Sequence, residues 1–500
     1  MKRDNCTRSF FLKLLLITYY LLPIGNTPSV YGQLFTIDNA IQRLVSDDVL
    51  RRGQSGICVM DVKTGQMLGS YNSTMSLIPA SNMKIVTTAA ALKILGSDFT
   101  FRTDLQYDGD IKDSILYGNI VIKGYGDPTL GSPNMDSVVR IEGLLDFFSA
   151  QIKTLGIKKI VGRIIGDGSA FEKATAAHTW LWEDLGNYYG AGPSGLNINE
   201  NQYKLNLQQN SSVGSPPSVS STSPHVPDFT LYNELTSAAG GGDDSYIYAA
   251  PYSRVGIVKG AIPAGSNIFR VKGSVPDPPY FAAWHLREVL IQNGIDVTDS
   301  AATQIWIEQK ALPILPRKTF FTWRSPSLAS IVTHANLESV NLYCEAILRT
   351  IAFNQTGFGS NDKGTELVSK FWQSQGIDTE GLFMQDGSGL SPRDGITPYQ
   401  LTSMLRTVAL DNQWFTPFYN SLPVAGLSGT MKNMFKTHPS VIGRIRAKSG
   451  TISRVRAYSG YATANDGRLI AFSILLNNFT CTQNEIRKRL ESFMAELIKL

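Results

Sequence analysis

The two ends of the chain share a pattern of long helices and strands, and a long stretch with a different pattern of short strands and turns separates them. Residues 33–96 and 316–500 contain long helical patterns together with strands, whereas residues 97–315 alternate short strand-like pieces with turns. Helices and antiparallel strands form one domain when their apolar faces share a core. The sequence therefore predicts an α+β domain built from both ends of the chain, with residues 97–315 inserted into it.

The first of these segments carries a hairpin signal and a helix signal. Gly56–Asp61 and Gln66–Tyr71 flank the turn Val62–Gly65, which is typical of a β-hairpin. Pro79-Ala80-Ser81 then opens an apolar helix that we expect to run from Asn82 to about Leu95. An earlier helix is predicted over residues 37–50 from its apolar stripe.

Hydrophobic periodicity predicts most of the other elements. In the middle region we expect a helix at 136–155, a strand at 158–166, a last helix at 279–293, and loops at 211–227 and 238–244. In the C-terminal segment we expect helices at 327–334, 339–353, 363–375, 397–410 and 482–499, and strands at 443–448, 454–461 and 468–476.

Composition and charge exclude several classes of protein. Hydrophobic residues make up 43% of the 500 residues and charged residues 17%, which is typical of a globular chain with a core. The net charge is +5, and Lys2, Arg3, Arg8 and Lys13 contribute much of it at the extreme N-terminus. So small a charge elsewhere, without a dense basic patch, argues against a nucleic-acid partner.

Residues 1–32 have the pattern of a signal peptide. A basic start precedes a largely apolar stretch from Phe10 to Leu22, and Val30-Tyr31-Gly32 offers a cleavage site. The alternative is an N-terminal membrane anchor, but the apolar run after Lys13 is shorter than the roughly 20 residues that span a bilayer. We expect an exported protein, periplasmic or extracytoplasmic, with peripheral membrane association at most.

The cysteines and histidines do not form a metal-binding pattern. Cleavage would leave Cys58, Cys344 and Cys481, an odd number without a Cys-x-x-Cys motif, so we expect buried free thiols with room for one disulfide. The five histidines are scattered, and none belongs to a His-Glu-x-x-His motif. The sequence predicts neither a metal nor another cofactor.

Three short motifs occur in one order, and together they suit nucleophilic catalysis. They are Ser81-Asn-Met-Lys84, Ser339-Val-Asn341 and Lys448-Ser-Gly450. At a helix start, residues three apart share a face, so the amine of Lys84 can reach the hydroxyl of Ser81. A serine hydroxyl attacks efficiently only when a neighbouring base takes its proton, and burial lowers the pKa of a lysine enough for that task.

Each motif alone has weak specificity, because similar triplets and quartets occur elsewhere in the chain. The copies are Ser360–Lys363, Ser70–Asn72, Ser132–Asn134 and the literal Lys63-Thr64-Gly65. Their contexts differ: we expect Ser360 in a Gly-rich loop without an apolar helix face, and the others in turns or at a strand end. Alternatively, these residues have only structural roles, with Ser81 or Ser339 as a helix N-cap and Lys448 as a solvated strand residue.

Longer stretches around the three motifs narrow the choice. They resemble the D-alanyl-D-alanine carboxypeptidase/endopeptidase family of low-molecular-mass class C penicillin-binding proteins at residues 78–92, 336–348, 385–391 and 444–452. Two stretches of the middle region, Gly124–Leu130 and Asn197–Asn201, are similar to that family too. The resemblance runs from about residue 38 to 499 and is weakest between 205 and 250.

The resemblance implies a fold and a substrate. The fold would be a transpeptidase/β-lactamase-like domain, with an antiparallel sheet flanked by helices and a large two-part insertion between the Ser-x-x-Lys and Ser-x-Asn motifs. The substrates would be peptidoglycan stem peptides ending in D-Ala-D-Ala, and β-lactams would acylate the enzyme as inhibitors. Carboxypeptidase and endopeptidase activity remain equally open.

The resemblance also implies a role for each matching residue. Ser81 would be the nucleophile and Lys84 its general base, while Ser339 and Lys448 would pass a proton to the leaving amine. Asn341 would hold the substrate amide and orient Lys84. The strand Lys448–Thr451, which includes Gly450, would bind substrate along a sheet edge. Ser449 and Thr451 would bind the carboxylate of the substrate, and the Thr451 N–H would form part of the oxyanion hole. The family usually has Thr where Ser449 stands, which keeps the hydroxyl.

Two other segments and two other functions stay open at this point. Asp386–Leu390 is interpreted first as a structural loop, and Glu183–Asn187 as part of the insertion rather than as the deacylating loop of a class A β-lactamase. A related serine esterase or β-lactamase would use the same three motifs. A catalytically silent peptidoglycan-binding protein is the alternative of another class.

Overall fold

The computed structural model describes residues 30–500, with side chains from Ile37 onwards. The predicted signal peptide, residues 1–32, lies outside the described residues except for its last three, with which the first helix begins. Within residues 30–500, no helix combines the length and the apolar character needed to cross a membrane.

The first segment contains four elements, and the predicted hairpin and apolar helix are both confirmed. They are α1 (Val30–Val45), β1 (Gln54–Asp61), β2 (Met67–Tyr71) and α2 (Met83–Ile94). The α1 helix ends at Val45, earlier than predicted, because the chain turns from Ser46 onwards while Leu50 stays buried.

The middle region is rich in short strands. Its strands are β3 (Arg102–Asp108), β4 (Asp110–Lys112), β5 (Ile115–Tyr117), β6 (Ile120–Gly124), β7 (Lys159–Val161), β8 (Ile164–Asp167), β9 (Gln202–Gln208), β10 (Ser218–Ser223), β11 (Thr230–Ala238), β12 (Asp244–Tyr248), β13 (Val255–Pro263), β14 (Ile268–Ser274), β15 (Asp296–Val297), β16 (Ala302–Thr303) and β17 (Arg317–Arg324). Its helices are α3 (Ile141–Lys153), α4 (Trp182–Leu185), α5 (Pro278–Gln292) and α6 (Gln304–Gln309).

The C-terminal segment is mainly helical and ends with three strands and a helix. Its elements are α7 (Leu328–Leu337), α8 (Asn341–Thr356), α9 (Asn361–Ser374), α10 (Pro398–Ala409), α11 (Asn412–Ser421), β18 (Ile445–Ile452), β19 (Val455–Thr463), β20 (Leu469–Asn477) and α12 (Gln483–Leu497).

One antiparallel sheet joins the two ends of the chain. Its strand order is β18-β19-β20-β1-β2, and the central pairing is between β20 and β1 over eight residues of each strand. Helices cover both faces. Tyr461 and Leu475 belong to a core shared with α2, α8 and α10, whereas Phe472 and Ile474 belong to a core shared with α1 and α12. Covered on both faces, β20 is buried along nearly all its length.

The middle region has its own core and four sheets. The strand orders are β16-β8-β6-β3-β17, β15-β7-β5-β4, β10-β9-β14 and β11-β13-β12. Buried residues of α3 and α5, such as Phe148 and Leu286, pack with strand residues such as Ile120 and Leu205. Because β17 pairs with β3, the chain leaves this region only after Arg324.

Three local predictions for these segments are wrong or incomplete. The strand expected at 158–166 is divided at Gly162 into β7 and β8, which belong to different sheets. The loop expected at 211–227 contains β10, whose Ser and Thr side chains are largely exposed, so its composition resembles a loop. The α11 helix was not predicted; it contains Pro417 but is capped by Asp411 and anchored by buried Trp414 and Phe418.

The segment before α2 is tied to the sheet by one side chain. Asn477, at the end of β20 and 1% exposed, accepts a hydrogen bond from the Ile78 N–H (2.9 Å) and donates one to the Ile78 carbonyl (3.0 Å). This pair of bonds fixes the chain three residues before Ser81.

We expect Asn477→Ala to lower the free energy of unfolding by about 1–3 kcal/mol, because the two backbone groups of Ile78 lose their partner. Chemical denaturation with urea measures this change. Asn412→Ala, an exposed residue at the start of α11, is the matched control, for which we expect less than about 0.5 kcal/mol. Equal effects of the two substitutions would contradict this role of Asn477.

Candidate active site

Ser81 lies in a single 3₁₀ turn, Ala80–Asn82, that leads directly into α2. The side chain of Asn82 is fully buried and donates to Ser459 on β19 (2.7 Å), which anchors the turn to the sheet. The residue in the N-cap position of α2 is Asn82, and no side-chain cap bond is made there. The Ser81 hydroxyl is therefore not used in capping and remains available for chemistry.

The amine of Lys84 is fully buried and has three polar neighbours. Its Nζ lies 3.0 Å from Ser81 Oγ, 2.5 Å from Asn341 Oδ1 and 2.7 Å from the Ser388 carbonyl oxygen. Burial lowers the pKa of Lys84, although nearby acidic groups partly oppose this effect. A neutral amine has two N–H groups and one lone pair. Because two neighbours can only accept, the lone pair is left to accept the proton of the third, the Ser81 hydroxyl.

Asn341 is held in the orientation that this arrangement needs. It is the first residue of α8, and its amide NH₂ donates to the Tyr189 carbonyl oxygen (2.8 Å), which turns its own oxygen toward Lys84. Tyr189 belongs to the middle region, in the 3₁₀ turn Tyr188–Gly190. A backbone carbonyl of the inserted stretch therefore orients a side chain that contacts Lys84.

Ser339 and Lys448 form a second polar pair. Lys448 is fully buried, and its Nζ donates to Ser339 Oγ (2.8 Å) and to the Ser449 carbonyl (2.8 Å). Burial lowers the pKa of Lys448 well below its usual range, and the positive charge of Lys84 adds to this effect. Ser339 has a φ of 59° and is not in the N-cap position of α8, which Val340 occupies. These positions do not fit the structural alternatives, in which Ser339 would cap a helix and Lys448 would be solvated.

The strand that carries the third motif runs along the edge of the sheet and directly past Ser81. A Cβ at Gly450 would lie 2.5 Å from the Pro79 carbonyl oxygen and 3.1 Å from the Ser81 nitrogen, so only glycine permits this approach. Ser449 Oγ donates to Thr430 Oγ1 (2.8 Å), and Thr451 Oγ1 accepts from Arg456 (2.7 Å). Thr430 and Arg456 were not identified from the sequence, which has no motif around either.

The Asp386–Leu390 segment forms a tight loop beneath Lys84 and supplies the Ser388 carbonyl. One Asp386 oxygen accepts from the N–H groups of Ser388 (3.1 Å) and Gly389 (2.6 Å), and the other accepts from Ser391 N–H and Trp180 Nε1, each at 2.7 Å. Trp180 belongs to the middle region. The loop makes internal hydrogen bonds of the kind expected for a structural loop, and it also supplies the Ser388 carbonyl to the Lys84 amine.

Two further buried acids surround this loop. Glu345 Oε1 accepts from the Gly387 N–H (3.0 Å), and its other oxygen lies 3.2 Å from Arg349. Burial raises the pKa of Glu345 to about 7. Burial, reinforced by the negative charge of Asp386, raises the pKa of Asp394 well above its usual range. Asp394 therefore keeps its proton to a higher pH than an ordinary aspartate does, while the carboxyl oxygens of Asp386 accept four hydrogen bonds.

A cleft of about 1480 Å³ opens over these groups. Ser81, Ser339, Asn341 and Thr451 line its floor, and residues of the middle region line its walls, among them Glu183, Asp184, Tyr188, Tyr189, Glu200 and Tyr246. Burial raises the pKa of Asp184 to about 6. Glu183–Asn187, interpreted as part of the insertion, therefore contributes to one wall of the cleft.

The structure separates the other Ser-x-x-Lys motif, Ser360–Lys363, from this site. Ser360 caps α9 by accepting a hydrogen bond from the Lys363 N–H, so the expectation of a loop without a helix face is wrong: Val368 and Trp372 on α9 are buried. The amine of Lys363 is exposed and pairs with Glu366. The Ser360 hydroxyl therefore binds the backbone of α9, and the Lys363 amine binds a carboxylate.

The three cysteines of the described residues, Cys58, Cys344 and Cys481, are free thiols, so the option of one disulfide between them is wrong. From residue 30 onwards, the structure contains no cluster of His, Cys, Asp and Glu side chains that could hold a metal ion.

The chain is similar to known D-Ala-D-Ala carboxypeptidases along most of its length. The model of the peptidase S13 family, described as D-Ala-D-Ala carboxypeptidase 3, matches residues 37–498. A D-alanyl-D-alanine carboxypeptidase of Actinomadura sp. (strain R39) is 28% identical over 486 residues, which are 92% of this chain and 86% of that protein. The D-alanyl-D-alanine carboxypeptidase DacB of Haemophilus influenzae is 26% identical, over 85% of each chain.

Solved structures show the same fold. Penicillin binding protein 4 of Haemophilus influenzae superposes with a TM-score of 0.78 at 24% identity, covering 92% of this chain and 99% of that one. The same protein has also been solved in complex with a β-lactam, with a TM-score of 0.72. The expected α+β, β-lactamase-like fold with an inserted region is confirmed.

We expect Asn341→Asp to slow acylation of Ser81 by a β-lactam at least about tenfold at pH 7, since a carboxylate beside Lys84 favours its protonated form. The acid limb of the rate–pH profile should move to higher pH. Stopped-flow acylation across pH 5–10 measures both effects. Asn420→Asp, an exposed residue elsewhere in the cleft, adds the same charge and should leave the limb in place. An unshifted limb in Asn341→Asp would contradict the assignment of Lys84 as the base.

Asp386→Asn and Asp394→Asn should differ sharply in stability. Asp386→Asn points an NH₂ group at N–H groups that need an acceptor, and it should lower the free energy of unfolding by about 3 kcal/mol or more. Asp394→Asn replaces a carboxyl group of raised pKa by an uncharged amide of the same shape and should cost less than about 1 kcal/mol at pH 7. Because burial raises the pKa of Asp394 well above the value near 4 that it has when unfolded, wild-type stability falls as pH rises above about 4. Between pH 5 and pH 8, the free energy of unfolding of Asp394→Asn should therefore rise relative to that of the wild type, and denaturation at both pH values measures this change. Equal losses of stability in Asp386→Asn and Asp394→Asn would contradict these different roles of the two carboxyl groups.

Proposed function

The chain belongs to the S13 family of D-Ala-D-Ala carboxypeptidases, which are serine peptidases, and we propose that Ser81 is its nucleophile and Lys84 its general base. The observation that supports this assignment most strongly is the set of three neighbours around the Lys84 amine. Two of them accept hydrogen bonds only, so the neutral amine is directed to take the proton of Ser81.

In the proposed acylation step, Ser81 Oγ attacks the carbonyl carbon of the penultimate D-Ala while its proton passes to Lys84. The oxyanion of the tetrahedral intermediate is stabilised by the N–H groups of Ser81 and Thr451, which the close approach of β18 supports. The C–N bond then breaks, and the proton taken up by Lys84 reaches the leaving amine through Lys448 and Ser339, which returns Lys84 to its neutral form. Water hydrolyses the ester of Ser81 in the second step, with Lys84 again as the base.

The substrate peptide extends along the edge of β18 at Ser449–Thr451 in this proposal. An edge strand offers backbone groups to an added strand, and Gly450 lets β18 pass close to the Ser81 backbone, so that the added strand lies beside Ser81. The terminal carboxylate lies by the hydroxyl groups of Ser449 and Thr451, with Arg456, which already contacts Thr451, supplying a positive charge nearby. Asn341 holds the amide of the penultimate residue.

We also propose the division of the chain and its location. Residues 33–96 and 316–500 form the peptidase domain, and residues 97–315 form the inserted region, to which the pairing of β17 with β3 adds a few residues. The family and the sequence pattern of residues 1–32 support an exported protein acting outside the cytoplasmic membrane. The substrates are peptidoglycan stem peptides, and β-lactams are inhibitors that acylate Ser81.

Labelled penicillin followed by intact mass measurement tests the nucleophile. The wild type should gain one penicilloyl group and Ser81→Ala none, while turnover of a D-Ala-D-Ala pentapeptide should fall by at least about 1,000-fold in that variant. Ser360→Ala changes the other Ser-x-x-Lys and serves as the control; it should be acylated like the wild type. An adduct on folded Ser81→Ala, or none on the wild type, would overturn the proposal.

A further inference from the structure

The sheet β11-β13-β12 presents one face to solvent, and that face carries aromatic residues. Tyr232, Ile257 and Tyr248 are paired in register across the three strands, so their side chains form one row on the same face. Tyr232 is 61% exposed and Ile257 37%. On the opposite face Ile247 and Val258 are fully buried. The exposure of this row is therefore a property of one face and not of a poorly packed sheet.

The row continues toward the cleft. The Trp182 ring, on α4, lies 6.2 Å from the Tyr248 ring and is 55% exposed. Tyr246, two residues before Tyr248 on the same face of β12, is 43% exposed and lines the cleft that holds Ser81. Tyr188, 45% exposed, lines the same cleft. We call these six residues, Tyr188, Trp182, Tyr246, Tyr248, Ile257 and Tyr232, the aromatic strip.

The chemistry of the aromatic strip suits an uncharged ligand with flat apolar faces and hydroxyl groups. Contiguous exposed aromatic residues mark binding surfaces, and tyrosine combines a flat ring with a polar group. The neighbouring row of the sheet places Glu234 beside Lys259 in register, so their opposite charges offset each other. This sheet face can therefore stack on a flat ligand and form hydrogen bonds with it, without a strong positive or negative electrostatic potential.

The position of the aromatic strip beside the cleft indicates which ligand would bind there. A stem peptide whose D-Ala end reaches Ser81 is joined at its other end to an amino sugar of the glycan strand, so sugar rings must lie where the peptide leaves the cleft. The aromatic strip begins in the cleft wall, at Tyr188 and Tyr246, and leads away from it across an exposed sheet face. Each sugar ring has an apolar face of C–H groups that packs on an aromatic ring.

We propose that the aromatic strip binds the glycan strand of peptidoglycan and that the enzyme prefers stem peptides still attached to glycan over free peptides. This inference rests on the proposed function. It gives the inserted region a binding role of its own, in addition to its contacts with Asn341 and Asp386.

Two substrates with the same stem pentapeptide, one free and one attached to its disaccharide, test the proposal on the full-length protein. For Trp182→Ala and Tyr232→Ala, kcat/KM on the disaccharide pentapeptide should fall about five- to tenfold relative to that on the free pentapeptide, mainly through KM, as expected for one lost aromatic contact. Tyr117→Ala, a 51% exposed tyrosine on β5, is the matched control and should leave the ratio unchanged. Calorimetric titration of Ser81→Ala with an N-acetylglucosamine tetramer should show binding that Trp182→Ala abolishes.

The outcomes separate this proposal from the proposed function. Turnover of free pentapeptide and penicillin acylation report the latter alone, and their failure would remove both. If both activities are intact but the ratio is the same in all variants, the glycan proposal is overturned. A change of oligomeric state by Trp182→Ala or Tyr232→Ala in sedimentation, with an unchanged ratio, would also overturn it and assign the aromatic strip to a second copy of the chain.

Discussion

The proposed role of Lys84 as a base depends on keeping its amine out of water. An amine in solvent is protonated at neutral pH and cannot take a proton from a serine, whereas a buried amine gives up its charge because a low-dielectric surrounding does not solvate it. Burial alone would leave its N–H groups unpaired, which is costly. The structure meets both requirements by bringing Asn341 and the Ser388 carbonyl to Lys84, and much of the surrounding architecture serves to hold those two groups in place.

The inserted region is part of this arrangement. Its contacts come from distant parts of the sequence: the Tyr189 carbonyl orients the amide of Asn341, and the Trp180 indole binds the carboxylate that shapes the loop of Ser388. Contacts from the inserted region thus support the geometry around the Lys84 amine. The wall that it adds to the cleft also extends the surface available to a substrate well beyond the reacting bond.

The parts of this structure that follow from local patterns could be predicted from the sequence. Ser81 and Lys84 meet because they are three residues apart at a helix start, and the hairpin follows from its strand and turn residues. The failures have physical reasons as well. Residues of β10 are polar on both faces of an exposed strand and resemble a loop, and Ser360 follows two nearby glycines although it caps a helix. Tyr189 contributes through its backbone, which any residue has, and Thr430 contacts Ser449 only through tertiary packing.

The pairing of β1 with β20 has a consequence for how the enzyme comes into being. Strand β1 is made early in synthesis, whereas its partner β20 is made only after the whole middle region. The middle region has its own core and can pack earlier, but the sheet that anchors the turn of Ser81 cannot close until β20 has been made. A chain that stops before β20 therefore cannot hold Ser81 and Lys84 against the closed sheet, so we expect it to lack reactivity toward acyl donors.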